Sequence, residues 1–135
     1  MRNLATLFAL ALLAGCAGQG DQPDDAAVCN AFASQHSRVE VVAAGNVAEV
    51  LGTRSGRSGR HEGFLLKLNG QCDLLLRVET NVSLTGPVPL SEGEAVVVKG
   101  EYEFEPSGGV IHWTHHAVGG HHEGGFVEAG GRYYQ

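Results

Sequence analysis

Five of the chain's seven histidines fall within residues 108–122, "GGVIHWTHHAVGGHH": His112, His115, His116, His121 and His122. Imidazoles at that density suit three kinds of chemistry: holding a transition-metal ion, moving protons near neutral pH, or lining a solvated turn. Just upstream, "GEYEFEPSGG" supplies two carboxylates, Glu101 and Glu103. A strand–turn–strand reading joins the two sets. With Pro106 to Gly109 as a four-residue turn, Phe104 faces Ile111, Glu103 faces His112, Tyr102 faces Trp113 and Glu101 faces Thr114. Side chains alternate along strands, so Tyr102, Phe104, Ile111 and Trp113 form an apolar core face. Glu101, Glu103, His112, Thr114 and His116 form a polar one. Carboxylates beside imidazoles are the inventory of a site for Zn²⁺ or another divalent transition metal. With His121 or His122 folding back over the hairpin, the candidate metal set is Glu101, Glu103, His112, His116 and His122. The alternative is an exposed Glu103–His112 ion pair beside a hydrated loop.

A second candidate is "TRSGRSGR", Thr53 to Arg60, a Gly/Ser-rich loop with Arg54, Arg57 and Arg60 at three-residue steps. Three guanidiniums on one loop suit a small anionic ligand such as a phosphate, a lipid head group or a glycan acid. The alternative is a loop that is merely soluble. With nine Lys and Arg against fifteen Asp and Glu, the chain has no basic surplus that would favour nucleic acid.

The elements that must carry these residues are mostly strands. "RVEVVAAGNVAEVLG", "HEGFLLKLNG", "CDLLLRVETNVSL", "EAVVVKGEYEFE" and "GVIHWTHH" are five β-rich runs separated by turn signals, including Asn69-Gly70 and "PSGG". They predict a mainly β fold: a small five-stranded antiparallel barrel, OB-like, with a two-sheet β-sandwich as the alternative. Gly45 and Gly100 are expected at bends or bulges. In such a barrel the arginine loop joins strands one and two. Before the first strand, Val28, Phe32 and His36 recur at four-residue spacing behind Asp24 and Asp25, predicting one short helix with an acidic N-cap.

The first residues set the compartment. "MRNLATLFALALLAGC" has one basic residue, an apolar run and small residues before a cysteine, the layout of a secretory signal peptide. "LAGC" resembles a bacterial lipobox, so residues 1–15 are expected to be removed and Cys16 to carry the lipid. A plain signal peptide cut elsewhere is the alternative. Ala17, rather than an acidic residue, follows the cysteine, which favours the outer membrane, with the domain in the periplasm. Residues 16–24 read as a flexible Gly/Asp/Pro-rich tether and 25–135 as a single domain. Setting Cys16 aside leaves Cys29 and Cys72, an even pair in an oxidising compartment, and a disulfide is expected between them; the alternative, two free thiols acting as a redox or metal pair, lacks a C-x-x-C spacing.

"HEGFLLKL", "LLLRVETNVSL", "GEYEFEPSGGVIHWTHH" and "GGFVEAGGRYYQ" together resemble an uncharacterised bacterial family, domain of unknown function 3465, over roughly Val39 to Gln135. The resemblance supplies positions and no chemistry. It implies that His61, Glu103, His112, Trp113, Thr114, His115, His116 and His122 occupy characteristic places, which adds His61 and His115 to the ligand-binding candidates. It also implies departures. Thr80 and Ser83 stand where the pattern has a histidine and an aspartate, Ala117 where an aspartate follows the paired histidines, and Gly63 where a basic residue is common. Losses of that kind favour a binding module over a metal-dependent hydrolase that would use Glu101 or Glu103 as general base. The third reading is a structural envelope lipoprotein in which "HWTHH" packs around Trp113.

Overall fold

The computed structural model describes residues 21–135. The expected signal peptide, the expected lipidation site Cys16 and the start of the expected tether lie outside the described residues. The chain first forms helix α1 (Asp25–Ala33), whose N-cap Asp24 accepts a hydrogen bond from the Ala27 N–H at 3.2 Å and satisfies one of the helix's open donors. It stops short of His36 because Gln35 turns into the left-handed region, φ 56°. Val28 and Ala31 face the core. Cys29 is bonded to Cys72, with Cα atoms 5.9 Å apart across 43 residues, so α1 is stapled to the loop following the second strand. Closing a loop of that length is worth about 3–4 kcal/mol on the chain-entropy account.

Seven strands follow: β1 (Val39–Gly56), β2 (Gly59–Leu68), β3 (Leu75–Asn81), β4 (Ala95–Glu103), β5 (Val110–His112), β6 (Phe126–Ala129) and β7 (Arg132–Tyr134), with a one-turn helix α2 (Val82–Thr85) after β3. Five of them close a ring in the order β1-β2-β3-β5-β4, because β1 pairs with both β2 and β4. Closure removes the exposed edges that an open sheet of five would carry. The fold is therefore a mainly β barrel preceded by a short helix, and not a two-sheet sandwich. One pairing departs from the antiparallel expectation. β5 lies parallel to β3, filling the gap between β3 and β4.

Gly45 is where the long β1 passes from one neighbour to the other, opposing Val96 of β4 and Leu68 of β2. A Cβ there would sit 2.2 Å from the Lys67 carbonyl oxygen, so only glycine lets the strands approach so closely. The alternate residues Val41, Ala43, Phe64, Leu66, Leu76, Val78, Val98, Tyr102 and Ile111 fill the barrel.

The β6–β7 hairpin extends the sheet beyond β4 and was not among the five predicted runs. Its two-residue turn is Gly130-Gly131, with φ 57° and 75°, a turn signal that a reading centred on longer strands passes over.

Candidate functional site

The hairpin register differs from the expected one by two residues: Glu101 faces His112, Tyr102 faces Ile111 and Glu103 faces Val110. The reason lies in the connection, which is six residues long rather than four. Gly108 and Gly109 both take positive φ, and the Tyr102 hydroxyl donates to the Gly108 carbonyl at 3.0 Å. The Tyr102 ring packs against Gly109, where a Cβ would come within 2.3 Å of it. A slip of two preserves alternation, so Glu101, Glu103 and His112 still share one face.

On that face one donor atom from each of Glu101, Glu103 and His112 lies within 4.8 Å of the other two. His112 Nε2 is 3.4 Å from Glu101 Oε1 and 3.9 Å from Glu103 Oε1. It is buried and has no aligned hydrogen-bond partner. Ligands about 2.1 Å from a tetrahedral ion are separated by about 3.4 Å, so the spacing fits such an ion with small adjustments. Glu40 of β1 faces Glu101 of β4 and adds a third carboxylate to the row. Burial, then the charges of Glu123 and Glu101, push its pKa above the ordinary carboxylate value.

The other two members of the expected metal set lie elsewhere. β5 ends at His112 because Trp113 adopts φ 57°, a conformation that turns the following side chains off the strand's alternation. Trp113, expected in the core, is 39% exposed. Thr114, expected on the polar face, is fully buried and donates to the Glu79 carbonyl at 3.0 Å. His116 is exposed and meets only the edge of His115, 6.2 Å between centroids. His122 stacks on Trp113 at 4.6 Å, and His121 is exposed.

His115 is buried, its Nδ1 2.8 Å from the His116 carbonyl. Desolvation, only partly offset by that backbone hydrogen bond, holds its pKa below the ordinary imidazole value. Glu123 fastens the far end of this loop through Lys99, which also pairs with Asp21, ahead of α1.

The arginine segment is not a loose loop. β1 runs to Gly56 and β2 begins at Gly59, leaving only Arg57 and Ser58 as a two-residue turn. The Gly/Ser composition that suggests flexibility instead supplies turn geometry, with Gly59 at φ 122°. Alternation also splits the arginines. Arg54 faces His61 across the ladder, and both line a cleft of about 480 Å³ together with Arg57. Arg60 lies on the other face, in a smaller depression with Glu62 and Ser83.

Three residues that the sequence reading did not single out complete the cleft: Arg77, Glu79 and Asn81 of β3. Glu79 is nearly buried and is gripped by Arg54 at 2.6 Å and Arg77 at 3.1 Å, while Arg77 also reaches Glu105 at 3.1 Å. Their alternation with the buried Leu76, Val78 and Thr80 along "LLRVETN" is the signal that marks them as one outward face.

At the departures from the family pattern, Thr80 sits inside the barrel with its hydroxyl unpaired, and Ser83 accepts from the Arg60 N–H at 3.0 Å. Ala117 is exposed. Gly63 is buried below Glu79, where a Cβ would meet the carboxylate at 3.6 Å.

No curated protein and no solved structure matches the chain. A match over residues 10–135 places it in a family instead: the chain belongs to the proteins of unknown function grouped as DUF3465.

Proposed function

We propose that this chain is a cell-envelope lipoprotein whose OB-like barrel binds a divalent transition-metal ion, Zn²⁺ or a similar one, through Glu101, Glu103 and His112. The observation that carries this reading is the approach of the three donors to within 4.8 Å, with the buried His112 Nε2 aimed among carboxylates. Two carboxylates neutralise a dication, and the neighbouring Glu40 lowers the local potential further. Three protein ligands leave a fourth position of a tetrahedral ion for water or a small molecule. Glu101 and Glu103, the expected general bases of a hydrolase, belong to the donor set and are not free to activate that water. Binding is the better reading.

Zn²⁺ titration by calorimetry of the domain lacking residues 1–16 tests it. Wild type binds one equivalent; His112→Ala and Glu103→Gln each lose at least tenfold in affinity, the scale of one lost ligand or its support. His116→Ala and His36→Ala bind as wild type. Because a proton competes for the imidazole, affinity falls in acid. Equal affinity for wild type and His112→Ala, or no stoichiometric binding by either, removes the metal reading. The lipid anchor has its own test: Cys16→Ser moves the protein out of the membrane fraction or blocks its processing, whereas normal processing with retention overturns the anchor.

A further inference from the structure

On the other side of His112 the chemistry changes sign. The cleft of about 480 Å³ is within the size range of small-molecule sites, and its walls carry Arg54, Arg57 and Arg77 against the single carboxylate of Glu79. Glu79 and Glu105 occupy Arg54 and Arg77, whereas Arg57 has no ion-pair partner among the described residues. An uncommitted guanidinium at the lip of a cleft, in a chain of net charge −6, is a local attraction for an anion.

The second feature is Trp113. A bulky residue at φ 57° is uncommon and persists only where its surroundings hold it. Here His122 stacks on the indole with planes 23° apart, His112 leans on it at 5.3 Å, and His115 meets it edge-on at 5.9 Å. The strained backbone leaves the indole 39% exposed instead of sending it into the barrel. The ring borders two cavities. His122 lines the smaller one and is absent from the larger, which Trp113 shares with Arg54, Arg57 and Arg77. A fixed, half-exposed aromatic surface is a stacking platform for another flat ring.

We propose that this cleft binds a small planar anion, an aromatic or heteroaromatic ring bearing a phosphate or carboxylate. The ring stacks on Trp113 and the charged group reaches Arg57. Inorganic phosphate alone would leave the platform unused, and a neutral ring would leave Arg57 unused.

Trp113 is the chain's single tryptophan, so its fluorescence reports this cleft directly. The domain is stripped with a chelator, which makes the result independent of the metal reading, and is titrated with benzoate, phenyl phosphate and adenosine monophosphate. Benzyl alcohol, adenosine and inorganic phosphate serve as controls. At least one planar anion should quench saturably and bind at least tenfold tighter than its neutral counterpart and than phosphate. Arg57→Gln should weaken that binding roughly tenfold, the scale of one charge-assisted hydrogen bond, and Arg60→Gln, on the opposite face, should not. No saturable quenching by any of the three anions, equal response to the neutral rings, or equal losses in both arginine variants would overturn the proposal.

Discussion

The two halves of the histidine-rich segment obey different rules. Residues 110–112 are a strand in the barrel wall, where position follows from alternation and the facing strand. Residues 113–125 are a loop fixed by individual contacts: Thr114 to the Glu79 carbonyl, the Gly125 N–H to the His115 carbonyl at 2.8 Å, and Lys99 to Glu123. The first half joins an acidic face suited to a cation. The second half sets its aromatic rings beside an arginine-lined cleft. His112 stands at the boundary and borders both. One stretch of sequence thus serves two surfaces of opposite charge, and the left-handed turn at Trp113 is what separates them.

The sharpest way to break that contrast is to add a single methyl against the strand half, from the facing β4, and another within the loop half. A Cβ at Gly100 would lie 2.3 Å from the His112 carbonyl oxygen and 3.0 Å from Ile111 Cγ2, against backbone that cannot move without opening the β4–β5 pairing. Gly100→Ala should cost about 3 kcal/mol, the upper end for overpacking, and lower the denaturant midpoint accordingly. At Gly120 a Cβ meets nothing within 4 Å, and only the positive φ of 69° is penalised. Gly120→Ala should therefore cost roughly 1 kcal/mol. Similar midpoints for the two variants would show that the strand half is no more rigid than the loop.

A smaller effect measures how firmly the loop half is tied down. Thr114→Val keeps the shape of a fully buried side chain but removes the donor to the Glu79 carbonyl. Equilibrium unfolding should show a loss of about 1–2 kcal/mol, the net value of a buried hydrogen bond plus the acceptor left behind. Zn²⁺ affinity should stay within about twofold, since the donors at Glu101, Glu103 and His112 lie on the strands. An unchanged stability would mean that the loop is held by its aromatic contacts instead.

The same contrast governs what was legible in the sequence. The barrel, the acidic cap of α1 and the shared face of Glu101, Glu103 and His112 all follow from period-two alternation and capping, which are local properties, whereas the irregularities of β1 fall at Val47–Glu49 and Val50–Gly52 rather than at the expected Gly45. Pairing register depends on loop length, and two consecutive glycines accommodated by the Tyr102 ring lengthened the turn by two residues. Trp113 defeated the alternation argument because a single left-handed residue resets every position after it, and its composition gives no warning: tryptophan is not a residue expected at positive φ. The arginines illustrate the opposite failure. "SGRSGR" looks like a flexible loop, but glycine and serine also build tight hairpin turns, and only the pairing of Gly56 with Gly59 decides between them. Glu79 was invisible because a carboxylate in a strand is ordinarily a solvated side chain, and its burial depends on Arg54, 25 residues away on β1, as well as on its neighbour Arg77.

The smallest effect concerns His115, whose burial is the part of the loop half that depends on pH. Desolvation is the chief reason its pKa lies below the ordinary value of 6.5, with the neighbouring His122, His116 and His61 adding to the depression and the His116 carbonyl opposing it. In the unfolded chain the same imidazole takes up a proton at its ordinary value. As pH falls through 6.5, the unfolded state therefore binds a proton that the folded state resists, and stability is lost downward from that point. Above it both states are neutral and the group contributes no pH dependence. His115→Phe keeps a buried ring of similar shape without the titration, so its thermal midpoint should fall less between pH 7.5 and 5.5 than that of wild type. Parallel curves would mean that His115 is hydrated in solution and that the loop opens more readily than the strand it follows.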